Sequence, residues 1–283
     1  MSRVPSGRAP IGVFDSGVGG LTVLRALLST LPHEDFVYLG DTARLPYGTK
    51  SPETVTRYAL QAAQALKTLD VKCLVIACNT ASAVSLPAVR ERIADVPVIG
   101  VIEPGAEAAC EASRSGHIAV IATEGTVRGG AYQEAICRRR PDAHVSARPA
   151  QLFVALAEEG FCDGPIVEGI ARHYLDPLFG SPTGDRPPPD TLVLGCTHFP
   201  MLAGAIRKAV GPEVTIVDSA ATTAASVRRQ LEEVGLMRTE GGGSVRFLAT
   251  DSPERFARTG SRFLDRPIAA SDVELIDLYS KIE

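Results

Sequence analysis

The sequence predicts an α/β protein of two facing lobes, each built on a mostly parallel sheet and related by a pseudo-twofold, with a cleft between them. Three observations carry this expectation. Short apolar runs of strand type alternate with amphipathic helical stretches, the pattern of βαβ units. The strand–turn–helix layout of "PIGVFDSGVGGLTVLRAL" near the start returns in "HIAVIATEGTVRGGAYQEAI" over residues 117–136. Two further segments also share a layout, "CLVIACNTASAVSLPAVRERI" and "TLVLGCTHFPMLAGAIRKAV", and in each the apolar run ends on a cysteine, Cys78 or Cys196.

The elements follow in order. Ile11 to Phe14 reads as a strand, and Gly17, Gly19 and Gly20 make the turn behind it. Leu21, Leu24, Leu27 and Leu28 recur at helical spacing. "DFVYLGD" is the second strand and ends at Asp41, followed by the loop "TARLPYGTKSP". Ser51, with Pro52 and Glu53 behind it, signals a helix start. "CLVIAC" is the next strand, with a helix through Arg92 and then "VPVIGVIEP". The second lobe repeats the scheme. Beyond Val210, two more strand–helix pairs are expected to close the sheet of the first lobe. The expected division is therefore residues 1–99 plus 211–283 for the first lobe and 100–210 for the second. Gly180 to Pro189 and Glu240 to Ser244 read as surface loops.

Composition narrows the function classes. The 283 residues are 45% hydrophobic and 22% charged, an ordinary globular balance. A net charge of −4 gives no electrostatic footprint for nucleic acid. No run of 18 apolar residues is present, so no membrane span is expected, and the first residues lack the apolar core of a signal peptide. Six cysteines without a Cys-x-x-Cys pair argue for a reducing cytoplasm rather than a disulfide scaffold. Cys73, Cys110, Cys137 and Cys162 read as packing or surface residues.

Ligands of open parallel sheets collect at the carboxyl ends of strands. Cys78 and Cys196 fall there, as do Asp15, Ser16, Asp41 and Thr123. If the lobes face one another, two thiols approach one small molecule from opposite sides. That suits inversion of a stereocentre, where a thiolate removes a proton from one face and a thiol delivers one to the other. A free thiol titrates near about 8.5, close enough to neutral for either role. The developing charge needs preorganised donors, which Asn79, Thr80 and Thr197 supply beside the cysteines. His198 is placed to orient Cys196, and Asp15 to assist Cys78 or to cap a helix. The competing readings are buried structural thiols, a zinc site on Cys78, Cys196 and His198 that lacks a fourth ligand, and a redox pair. The "GVGG" turn departs from the dinucleotide and phosphate-loop patterns.

"GVFDSGVGGLTVLRAL", "GDTARLPYGTKS", "IACNTASA", "LGCTHFP" and "ATDSPERFA" together closely resemble the glutamate racemases of the aspartate/glutamate racemase superfamily, in order from about residue 10 to 268. The resemblance implies cofactor-independent interconversion of L- and D-glutamate, with the D-isomer feeding peptidoglycan synthesis. It implies Cys78 and Cys196 as the opposed acid and base, assisted by Asp15, His198 and a glutamate of "LFVALAEEG", Glu158 in preference to Glu159. It puts substrate contacts on Asp15, Ser16, Tyr47, Gly48, Asn79, Thr80, Thr126, Thr197 and His198, and a further acidic position on Asp41. Gly129 and Gly130 stand where many relatives carry a serine. No cofactor and no metal are expected; a pyridoxal cofactor would need a Schiff-base lysine among Lys50, Lys67, Lys72, Lys208 and Lys281. A small-molecule substrate and a homodimer are expected, with no nucleic-acid or membrane partner. The alternatives are a racemase of another acidic amino acid such as aspartate, or a non-catalytic amino-acid-binding protein.

Overall fold

The computed structural model describes residues 6–180 and 187–278. Parts of the expected loop at Gly180 to Pro189, and Lys281, lie outside the described residues.

The first half runs β1 (Ile11–Asp15), α1 (Leu21–Thr30), β2 (Phe36–Gly40), α2 (Pro52–Lys67), β3 (Cys73–Ile76), α3 (Asn79–Arg92), β4 (Val98–Gly100) and α4 (Ile102–Ala112). The second half runs β5 (His117–Ala122), α5 (Glu124–Arg128), α6 (Ala131–Arg139), β6 (His144–Pro149), α7 (Leu152–Glu159), α8 (Pro165–Phe179), β7 (Thr191–Gly195), α9 (Ala203–Val210) and β8 (Thr215–Asp218). The chain then continues through α10 (Ser219–Glu233), β9 (Val245–Ala249), α11 (Pro253–Leu264) and β10 (Val273–Leu275). Ser51 caps α2 by accepting the Thr54 N–H, with Pro52 in its first turn, as the start signal required.

One sheet has the order β10-β9-β2-β1-β3-β4 and the other β6-β5-β7-β8. Every strand pair is parallel. The four strands β2-β1-β3-β4 and β6-β5-β7-β8 follow the same order, so β1 corresponds to β5 and β3 to β7. Strands buried on both faces explain the continuous apolar runs: β1, β2, β3, β5 and β7 are buried along their whole length.

The correspondence corrects the expected division. That division places Thr215–Asp218 in the first lobe, but this strand pairs with β7 in the four-stranded sheet. It is the counterpart of β4, the fourth strand of the repeated unit, and a cut at residue 211 severs that unit. β9 and β10 do join the first sheet. Parallel partners are distant in sequence, so periodicity identifies a strand without naming its neighbour.

A single apolar cluster runs from Ile11, Leu24 and Leu27 through Ala220, Ala224 and Val227 of α10 into Ala119, Leu192 and Phe199. The lobes therefore share part of one core. Its burial sets how the carboxyl ends of the two sheets face each other. Among the described residues no helix is long and apolar enough to cross a membrane.

Candidate active site

In both sheets the chain order reverses between the first strand and its neighbour, at β1/β3 and at β5/β7, which opens a crevice outside their carboxyl ends. Cys78 lies just beyond β3 and Cys196 just beyond β7. The two cysteines thus occupy equivalent places in the repeated unit, and both line one cleft.

Cys78 is the N-cap of α3, in extended conformation, and its sulfur accepts the Ala81 N–H at 3.4 Å. Ser16 Oγ lies 3.6 Å away on the other side. Burial pushes the thiol up to about 12, reinforced by the negative charge of Asp15 and opposed by the Ala81 and Ser16 contacts. The charge of Cys196 acts on it in the same sense as Asp15, so the two sulfurs are within electrostatic reach of each other. At neutral pH Cys78 is therefore a protonated thiol.

Cys196 has a different neighbour. Its Sγ stands 3.8 Å from His198 Nδ1, which also lies 3.3 Å from Thr197 Oγ1. His198 Nε2 is 3.3 Å from Glu158 Oε1, and Arg255 Nη2 from the first lobe is 3.1 Å from Glu158 Oε2. Burial alone would depress the imidazole. Hydrogen bonds to Cys196 and Glu158 and the charges of Cys196 and Asp15 outweigh it, and His198 is raised to about 10. Glu158 is held below the usual range, chiefly by its bond to His198. At neutral pH His198 is an imidazolium and presents an N–H donor on each side.

The remaining walls are polar and ordered. Tyr132 donates to Asn79 Oδ1 at 2.8 Å, while the buried Asn79 Nδ2 has no partner. Thr80, Thr123 and Thr126 hydroxyls form a triangle with sides of 3.0, 3.3 and 3.0 Å. Tyr47 and Gly48 continue the lining, with Gly48 packed against Thr123. Tyr47 is fixed by a short hydrogen bond from its phenol to Asp41, which also pairs with Arg44 at 2.7 Å and accepts from Thr250 at 3.0 Å. Asp41 therefore anchors the wall from behind.

Of the residues singled out by sequence, Ser16, Tyr47, Gly48, Cys78, Asn79, Thr80, Glu158, Cys196, Thr197 and His198 all line the cleft. Thr126 stands behind Thr123, and Asp15 lies beneath the wall, capping its own turn through a 3.0 Å bond from the Gly17 N–H. Burial raises the Asp15 carboxyl, with His198 and three backbone N–H groups pulling it back down. Glu159 is exposed, on another face of α7. Sequence reasoning missed Gln151, Val154 and Leu45 in the walls. It also missed Tyr132 behind Asn79 and Thr22, whose hydroxyl crosses from α1 to donate to the Thr197 carbonyl at 2.9 Å. None of these carries a motif of its own.

Glycine is required where the lobes touch. A Cβ on Gly19 would lie 2.3 Å from His198 and 2.4 Å from Thr197, and one on Gly48 would lie 2.8 Å from Thr123. The free space they leave is about 40 Å³.

No described lysine lines the cleft. Lys72 is sealed in the core against Glu34 and two carbonyls, and Lys67 and Lys208 pair with carboxylates at the surface. Lys50 bonds the Pro46 carbonyl. The arrangement offers two thiols, an imidazolium and a set of hydroxyl and amide donors around one small volume. That is the equipment for moving a proton across a carbon centre.

Comparison with known proteins identifies the family. A profile of the Asp/Glu/Hydantoin racemase family matches residues 11–227. A glutamate racemase from Geobacter metallireducens is 51% identical over 274 residues, covering 96% of this chain and 98% of that protein. Among solved structures, the glutamate racemase of Francisella tularensis in complex with D-glutamate superposes with a TM-score of 0.88 at 38% identity, covering 97% of this chain and 100% of that one. The Thermus thermophilus glutamate racemase, in complex with beta-chloro-D-alanine, gives 0.85 at 44% identity, covering 96% of this chain and 98% of that one.

Proposed function

Because this chain belongs to the Asp/Glu/Hydantoin racemase family, we propose that it interconverts L- and D-glutamate by proton transfer between Cys78 and Cys196. The observation that carries this reading is the equivalence of the two cysteines. They follow corresponding strands of two sheets and line one cleft. The glutamate racemases similar to this chain, one of them solved with D-glutamate, support the choice of substrate.

The chemistry proceeds as follows. One sulfur, as thiolate, takes the α-proton; the electron pair moves into the substrate carboxylate; the other sulfur, as thiol, protonates the opposite face. The first sulfur ends protonated and the second ends as thiolate, so the reverse reaction uses them in exchanged roles. The carboxylate gathers charge during the reaction. Asn79 Nδ2, the hydroxyls of Thr80 and Thr197 and the N-terminus of α3 are the donors at hand for it. Burial keeps Cys78 a thiol at rest, which fits it as acid. To act as base it must pass its proton on, and the ammonium group of a bound substrate favours the thiolate by charge. On the other side the His198 imidazolium, held by Glu158, places a donor at Cys196.

In this reading Ser16, Tyr47, Gly48 and Thr126 complete the substrate enclosure, and Asp15 acts on Cys78 through its charge. The D-glutamate produced supplies peptidoglycan synthesis in the cytoplasm, and the working unit is a homodimer. The test is incubation of the purified protein with L-glutamate in D₂O. D-glutamate should accumulate with deuterium at the α-carbon. Equal or faster turnover of aspartate, or racemisation without α-exchange, would overturn the proposal.

A further inference from the structure

We propose that Tyr132 is a positioning residue that sets which end of the Asn79 amide faces the substrate; this rests on the racemase reading above.

The Asn79 side chain carries an acceptor and a donor at one end, and only one arrangement serves an anionic substrate. Tyr132 Oη lies 2.8 Å from Asn79 Oδ1, and both residues are buried. Burial holds the phenol protonated, with the nearby charges of Cys196 and Asp218 acting in the same direction and the Ser219 side chain opposing them. It therefore has a proton to donate, and it satisfies the amide oxygen. The Nδ2 group is left buried and without a partner, on a residue that lines the cleft. A buried unpaired donor is costly, and it is retained where a ligand completes it. Rotating the amide would bring an oxygen lone pair to the substrate carboxylate and lose the phenol's donated bond.

The ring that carries the phenol is itself closely held. A Cβ on Gly105 would lie 3.2 Å from the ring and its hydroxyl, and one on Gly195 would lie 3.0 Å from Tyr132 Cε2. Two glycines thus make a slot for this ring between α4 and β7. Gly195 immediately precedes Cys196, and Asn79 immediately follows Cys78. Tyr132 belongs to α6 of the second half and Asn79 to α3 of the first, so the bond also ties the two thiol-bearing turns together. Donor direction at the substrate is set from the opposite lobe.

Tyr132→Phe keeps the ring in its slot and removes the hydroxyl, which donates to Asn79 and also faces the Ser219 side chain. Wild-type protein is first shown to racemise glutamate; its failure to do so would sink the racemase reading rather than this one. In Tyr132→Phe the KM for glutamate should rise about five- to thirtyfold while kcat changes less than threefold, the size of one or two kcal/mol of lost binding. In an Asn79→Ala background the same change should have no further effect on kcat/KM, because the phenol acts through the amide. A wild-type KM in folded Tyr132→Phe, or full additivity with Asn79→Ala, would overturn the proposal. A phenol that only stabilised the fold would lower the melting temperature and leave KM unchanged.

Discussion

Glu158 Oε1 lies 3.3 Å from His198 Nε2, on the far side of the imidazole from Cys196. After the hydrogen bond to Cys196 itself, the bond to this carboxylate is the next largest influence holding the imidazole charged beside a reactive sulfur. His198 is raised to about 10, so its contribution to stability is complete below its ordinary value of about 6.5 and drains away as pH climbs toward 10. Glu158→Gln removes the counter-charge. The His198 titration, read by NMR, should move to lower pH, and the stability loss should begin at the same pH, near the ordinary value of about 6.5, and finish earlier. The kcat should fall by about one to two orders of magnitude. An unchanged His198 titration in folded Glu158→Gln would show that the pair does not set the charge.

The two thiols should be separately indispensable. Cys78→Ser and Cys196→Ser should each reduce racemisation by about a thousandfold or more, because a hydroxyl is far too weak an acid to replace a thiol as proton carrier. Each variant should still bind D-glutamate, as seen by a ligand-induced rise in melting temperature. Racemisation by either variant at the wild-type rate would refute the two-base mechanism.

Gly19→Ala should damage the site without removing a polar group. The added methyl would sit 2.3 Å from the His198 ring. Overpacking of this kind costs about 1–3 kcal/mol and shifts whatever it meets. Activity should fall at least tenfold, with loss of the raised His198 pKa in the same variant. Gly204→Ala is the control, since its Cβ would meet nothing within 4 Å.

Lys72 gives a prediction in the opposite sense. Its ammonium group is fully buried, 2.6 Å from Glu34 and bonded to the carbonyls of Gly7 and Leu236. Glu34→Ala leaves that charge uncompensated and should cost about 3–5 kcal/mol by chemical denaturation. The kcat per folded molecule should stay at the wild-type value, because neither residue lines the cleft.

Much of this site was legible in the sequence because its residues cluster at strand ends. Cys78, Asn79 and Thr80 are consecutive, as are Cys196, Thr197 and His198, and apolar runs before them mark the strands that carry them. Glu158 could be told from Glu159 only by the family resemblance. The structure adds the reason: successive helix residues diverge by about 100°, which turns one toward His198 and the other to solvent. Tyr132 and Thr22 were not legible, since each reaches a partner more than fifty residues away from an otherwise ordinary helix. The place of β8 was missed for a related reason. A strand's partner is decided by the packing of the whole sheet, and its own residues hold no record of it.

Cys78 caps α3 with sulfur where serine ranks among the strongest caps. The Cys78→Ser chain should therefore fold at least as well as the parent while losing its chemistry. Cellular quality control acts on exposed apolar surface and would have nothing to detect. Such a protein would persist at normal abundance, occupied by its substrate and producing nothing. At this position folding stability gives no protection to function, and only the need for the product selects the thiol.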